Sequence, residues 1–150
     1  MTGDRGRGRG RPRPPGETAS RRGLEQDFDA GSLYALRSAV AAHAAAGGAD
    51  QDQVYDIVTA AHELAANAVR HGAGHGRLRL WAADQVLTCQ VTDPGPAGGA
   101  GIPEAGRDRP WTAEHGHGLW VIEQIADRLD IDRGPAGTTV TAVFTLRPPR

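Results

Sequence analysis

The sequence predicts an α+β fold: a two-layer sandwich whose mostly antiparallel, mixed sheet carries helices on one face. Three observations predict it. Apolar residues recur at helical spacing in three segments and alternate at strand spacing in the others. The later strands come as hairpins with short turns. The resulting order, β-α-α-β-β-loop-α-β-β, has too few connecting helices for a parallel sheet.

The elements follow in order. LEQDFD (24–29) reads as an edge strand. SLYALRSAVAAHAAAGG (32–48) reads as a helix with Ser32 as N-cap, a stripe of Leu33, Leu36, Val40 and Ala44, and a stop at Gly47 and Gly48. A second helix starts at Asp50, with Gln53 completing a capping box, and ends at Gly72. Its apolar positions are Val54, Ile57, Val58, Ala61, Leu64, Ala65 and Ala68. RLRLWA (77–82) alternates Leu78, Leu80 and Ala82 inward with Arg77, Arg79 and Trp81 outward. VLTCQVT (86–92) turns Leu87, Cys89 and Val91 inward, and Ala83–Gln85 is short enough for a hairpin. Residues 93–118 are rich in Gly, Pro and charge and have no period, the mark of a functional loop. LWVIEQIADRL (119–129) reads as a third helix; LDIDR (129–133) and TTVTAVFTL (138–146) close as strands about the turn GPAG.

Composition narrows the function classes. The net charge of −1 over 150 residues hides an asymmetry. Residues 1–23 carry about +5 and the remainder about −6. That first segment is of low complexity, with almost nothing apolar to bury, and reads as a disordered Arg/Gly/Pro-rich tail. An arginine-glycine arm could touch nucleic acid. The acidic body, without a basic–aromatic surface signature, argues against that, so neither nucleic acid nor a membrane is expected as a partner. Cys89 is the only cysteine, so no internal disulfide forms. No apolar run approaches the ~18 residues of a membrane helix. A cytoplasmic protein is expected.

Four segments stand out. On the second helix Glu63 and Asn67 lie about 40° apart, in a polar stripe with Asp56 and Arg70; any solvated helix could show such a stripe. VTDPGP ends a strand at Asp93, a carboxylate able to accept from a ligand amine, with Gly95 allowing close backbone approach. Taken alone it is an ordinary Asx turn. HGHGL (115–119) puts glycines just before a helix, where free amides and the helix dipole favour phosphate. GTT (137–139) opens the last strand with two hydroxyls.

Together, in this order and spacing, these segments resemble the ATP-binding domain of the GHKL superfamily, the Bergerat fold. ELAANAVRH is similar to its N box, DPGP to its first glycine box, GHGL to its second and GTT to its third. The likeness is strongest to the small anti-sigma-factor serine/threonine kinases and their actinobacterial histidine-kinase-like relatives. It spans roughly residues 24–147, with 96–115 as an ATP lid.

The resemblance implies ATP and Mg2+ as cofactors. Asn67 would hold the magnesium and Glu63 would be the general base. Asp93 would bind the adenine amino group, supported by Thr138, and Gly95 would shape the adenine pocket. Gly116, His117, Gly118 and Leu119 would wrap the phosphates. Arg37 matches a partner-contacting arginine on the first helix. The implied partners are a sigma factor and an anti-anti-sigma antagonist, which would be phosphorylated on serine; the family also tends to dimerise. A silent ATP-binding sequestering domain is the alternative to a kinase. Two departures stand out: Pro96 and Ala97 follow Gly95, and the lid has no lysine, leaving Arg107, Arg109 or a histidine as its cations. A zinc site on His71, His75, His115 and His117 is a rival reading. The Gly-Ala-Gly between His71 and His75 breaks the helical ligand spacing it would need.

Overall fold

In the computed structural model the described residues are 23–95 and 117–147, without the side chains of His117 and Gly118. The tail before Gly23, the lid at 96–115 and Gly116 lie outside them. The elements are β1 (Leu24–Asp29), a 3-10 turn (Ala30–Ser32), α1 (Leu33–Ala46), α2 (Gln51–His71), β2 (His75–Ala83), β3 (Val86–Asp93), α3 (His117–Ile125), β4 (Arg128–Gly134) and β5 (Gly137–Thr145). The strand order is β1-β2-β3-β5-β4. Every pair among the described residues is antiparallel. The "mixed" part of the expectation therefore finds no parallel pair there. β3 and β4 do run the same way, but β5 lies between them, so they never share a ladder.

The inward alternation of the strands builds one core with the helices. Leu78, Leu80, Leu87, Cys89, Val91 and Val140 pack with Leu36 and Val40 of α1, Ile57 and Leu64 of α2, and Leu119 and Ile122 of α3. α2 lies across β1, β2, β3 and β5 and is flanked by α1 and α3. Its five successive residues Leu64–Ala68 are all buried, so the helix is enclosed all round at that level. Alanine at 60, 61, 65, 66 and 68 lets the neighbouring elements come close. On the helix-free face Arg77 donates to Asp27 (2.8 Å) and Glu25 (3.3 Å), and Arg79 to Glu25 (3.0 Å). These exposed pairs tie β1 to β2 and add little energy.

Three local expectations differ from the structure. Trp81 points to the helix-free face as expected, yet is only 7% exposed, beside Thr88 at 1%. The alternation gives the face of a residue, not its cover. Ser32 stands at the N-cap of α1 without a capping bond. Its hydroxyl instead closes a box with Asp29 around the 3-10 turn, accepting from the Asp29 amide at 2.9 Å. The third helix stops at Ile125 rather than running to Leu129. Asp127 is claimed by β5: its amide donates to the Val143 carbonyl (2.8 Å) and its carboxylate accepts from the Thr145 amide (2.5 Å). The β2–β3 hairpin turns on Asp84 and Gln85, both at positive φ (54° and 67°), as a two-residue primed turn requires.

The start of α2 is fastened to the end of the sheet by one side chain. Gln53 is buried, donates through Nε2 to the Thr145 carbonyl (2.9 Å) and accepts from the Arg147 amide (3.3 Å). Asp50 caps Gln53 N (2.8 Å) and also binds Arg147 Nε (2.9 Å). Gln53→Ala removes both of these part-buried hydrogen bonds, at about 0.5–1.5 kcal/mol each, and is expected to cost about 1–3 kcal/mol in urea unfolding. A loss below about 0.5 kcal/mol, the range of neutral surface changes, would show that this fastening contributes little.

Candidate functional site

The site forms where the carboxyl ends of α2 and β3 meet the start of β5. α2 ends because Gly72, not another side chain, must sit against Asp93. A Cβ on Gly72 would lie 2.6 Å from Asp93 Oδ1 and 2.8 Å from the Ala68 carbonyl. Asp93, the last residue of β3, pairs in register with Thr138 on the helix side of the sheet. The two are each 6% exposed. Gly137 precedes Thr138 at φ +128°, and a Cβ there would fall 2.0 Å from the Asp93 carbonyl oxygen. Only glycine permits that approach. Gly95, at φ +92°, comes against the Gly137 Cα from the other side. The first and third glycine segments of the sequence are thus packed on each other.

The Asp93 carboxylate is held and desolvated together. Oδ1 accepts from the Gly95 amide at 2.7 Å, the Asx turn read from the sequence. Burial is the largest influence and lifts its pKa above the usual carboxylate value; the hydrogen bonds from Gly95 and Ala73 and the nearby His75 pull the other way. A carboxylate with about four acceptor sites keeps capacity for a ligand amine beyond these bonds.

Asn67 lies five residues before Gly72, about 7.5 Å along the helix axis. It was read as part of a polar surface stripe, but the structure buries it to 4% exposure. Its Nδ2 is buried with no hydrogen-bond partner among the described residues. Its Oδ1 accepts from Arg70 Nη2 at 3.2 Å. An unsatisfied buried amide is costly, so the residue is in the wrong place for stability alone. Glu63 stands half-buried one turn earlier on the same helix.

The other expected residues are placed as follows. His117 and Gly118 open α3, which packs against α2. Leu119, assigned to the phosphate wrap, points its side chain into the core at 2% exposure, so only its backbone could serve a ligand. Arg37 is exposed on α1. His71 closes α2 and His75 opens β2; among the described residues no three His, Cys, Asp or Glu gather for a metal. Two features escaped the sequence reading. Gly72 and Gly137 were taken as a helix stop and a strand lead-in, while their service is to Asp93. Arg133 sits across from Thr138 on the Asp93 face, which only the β4–β5 register reveals.

Two clefts, of about 620 and 500 Å3, open at this end of the sheet. Both are lined by Thr92 and Ala136, with Asp27 and Arg77 in the larger and Asp132 and Thr139 in the smaller. These side chains belong to the helix-free face, so neither cleft is the Asn67–Asp93 site. The expected lid at 96–115 and the expected phosphate residue Gly116 lie outside the described residues.

The Asp93 charge has a testable consequence. A raised folded-state pKa means the protonated carboxyl favours the fold, and this contribution is lost as pH rises through the raised value. Asp93→Asn keeps an oxygen for Gly95 and Ala73 but carries no charge. Ligand-free Asp93→Asn should therefore melt higher than the wild type at pH 7, the advantage shrinking toward about pH 4, near the ordinary aspartate value. A variant less stable at pH 7 in thermal denaturation would contradict the desolvation argument.

Comparison with known proteins fits this geometry. The family model described as histidine kinase-like ATPase domain matches residues 27–144. The crystal structure of the RsbU and RsbW domains of Rv1364c from Mycobacterium tuberculosis is similar, with a TM-score of 0.63 and 26% identity. That match covers 85% of this chain but 34% of the other. The histidine kinase domain of the blue-light activated histidine kinase EL346 from Erythrobacter litoralis shares the fold, with a TM-score of 0.50 and 23% identity over 77% of this chain and 60% of that one. No match was found among curated proteins. No described helix is long and apolar enough to cross a membrane. With the family model spanning most of the sequence, from β1 to β5, the chain belongs to the histidine kinase-like ATPase domain family.

Proposed function

We propose that this domain binds ATP with magnesium and regulates transcription by partner switching, holding a sigma factor and phosphorylating an antagonist protein on serine. One observation carries the ATP part: a desolvated carboxylate at Asp93 and an unsatisfied buried amide at Asn67 stand at the same end of the fold. The first suits an exocyclic amine; the second needs a partner that the described residues do not supply. The likeness to a chain containing an RsbW domain supports the regulatory part.

The roles follow from the chemistry of the side chains. Asp93 accepts from the adenine amino group, backed by Thr138, and the glycine contacts at 95 and 137 leave room for a flat ring. The amides of His117 and Gly118 at the start of α3 face the phosphates, with Gly116, just before them in the sequence, assigned the same role. Asn67 Oδ1 is a hard oxygen ligand of the kind magnesium takes. Bound magnesium would neutralise the phosphate charge. Glu63, on the same helix face as Asn67, takes the proton of an incoming serine hydroxyl on its carboxylate. Arg37, exposed on α1, contacts the protein partner.

Thermal denaturation with ATP, with and without magnesium, tests the binding. At a ligand concentration about 100 times Kd the fold gains about 2.7 kcal/mol, and the gain should depend on magnesium. Asn67→Ala should lose the magnesium-dependent part while its ligand-free stability holds, since the amide has an unsatisfied donor. Glu63→Ala should keep the thermal shift and lose phosphate transfer to the antagonist, read with labelled ATP. Wild-type protein that binds MgATP but transfers nothing would leave the silent sequestering domain as its function.

A further inference from the structure

We propose that Arg70 is a built-in competitor of the metal: its guanidinium occupies the Asn67 amide oxygen and so sets the magnesium concentration at which nucleotide binds. The inference rests on the ATP-binding reading of the site and adds to it a residue that reading does not use.

The argument starts from the hydrogen bond. Arg70 Nη2 donates to Asn67 Oδ1 at 3.2 Å. The acceptor is 4% exposed, while Arg70 is an exposed residue at the end of α2. A contact three residues apart on a helix is ordinarily a surface pairing of small value. Here it reaches inward to a buried amide, and among the described residues it is the side-chain bond to that amide's oxygen. Asn67 has one atom a hard cation can use, and it is this oxygen. A cation therefore already sits where the metal would go.

Two cations on one amide oxygen repel and draw on the same electron density, so metal and guanidinium compete for it. Moving Arg70 aside is easy, because its side chain is exposed and flexible at the helix end. The energy lost is that of a charge-assisted hydrogen bond, which must be recovered from the metal and the nucleotide together. Free magnesium, with one protein ligand on offer, does not recover it. Magnesium arriving with phosphates does. Arg70 acts through Asn67 and is a positioning residue.

The competitor role and a merely structural role differ in sign. If Arg70 only supports Asn67, removing it harms both the ligand-free fold and metal binding. If it competes, removing it lowers ligand-free stability, because the amide oxygen is then unpaired, yet eases metal entry. The experiment is a magnesium titration of ATP binding by calorimetry, with ligand-free melting measured in parallel, on wild type, Arg70→Met and Arg70→Lys. Arg70→Met should melt lower without ligand and reach half-saturation at roughly three- to tenfold less magnesium, the span for displacing one such bond at an exposed side chain. Arg70→Lys, which keeps a cationic donor, should stay near wild type. An unchanged or raised magnesium requirement in folded Arg70→Met overturns the proposal while ATP binding stands. A wild type that binds no ATP at any magnesium concentration overturns both.

Discussion

The close approach of the Gly137 backbone to the Asp93 carbonyl is the constraint on which the rest of this end of the fold depends. A side chain at 137 would overlap that oxygen. With glycine there, β5 can enter the sheet between β3 and β4 with Asp93 beside Thr138. The connection from β3 must then pass across the sheet through α3 and β4 before returning as β5. That path brings α3 against α2. One tolerated contact thus joins the end of β3 to the start of β5 at one end of the core.

Burial at this edge is spent differently from burial elsewhere. Along most of α2 the buried positions are Ile, Leu and Ala, and the neighbours close over them. At Asn67 and Asp93 the same degree of burial falls on groups that resist it. One has an unsatisfied donor, the other a carboxyl pushed above its usual range. Either residue could be apolar if only stability mattered, since replacing buried polar groups with packed apolar ones is often neutral or stabilising. Such exceptions to self-consistent folding are expected at working sites.

The order of elements, the antiparallel hairpins and the inward residues of β2 and β3 were legible in the sequence because each follows from a local period. The capping box of Asp50 and Gln53 was legible too, as a local pattern. What escaped depends on partners distant in sequence. Trp81 alternates outward correctly, but its burial does not follow from the alternation. α3 ends early because Asp127 bonds to β5, which no helical period can announce. Asn67 looked like a surface residue because its neighbour Glu63 and its contact Arg70 are polar; its burial comes from α2 being enclosed by the sheet, α1 and α3. The glycine boxes were visible as motifs, yet the service of Gly72 and Gly137 to one carboxylate required the β3–β5 register.

The division of the site between elements bears on kinase against silent binder. Adenine recognition would rest on β3 and β5, through Asp93, Gly95 and Thr138, locked by backbone contacts that tolerate little change. Metal and proton handling would rest on α2 alone, through Glu63 and Asn67. Glu63 differs from the rest: it is half-buried rather than enclosed, and it leaves no void in the core if replaced. Transfer can therefore be lost by a substitution there without disturbing nucleotide binding, whereas a replacement at Asp93 that changes its size also alters the packing of Gly72 against it. A fold built this way permits a regulator that keeps ATP as a structural ligand after chemistry has gone. The presence of a carboxylate at 63 beside an unsatisfied amide at 67 is the feature of this chain that favours the active form.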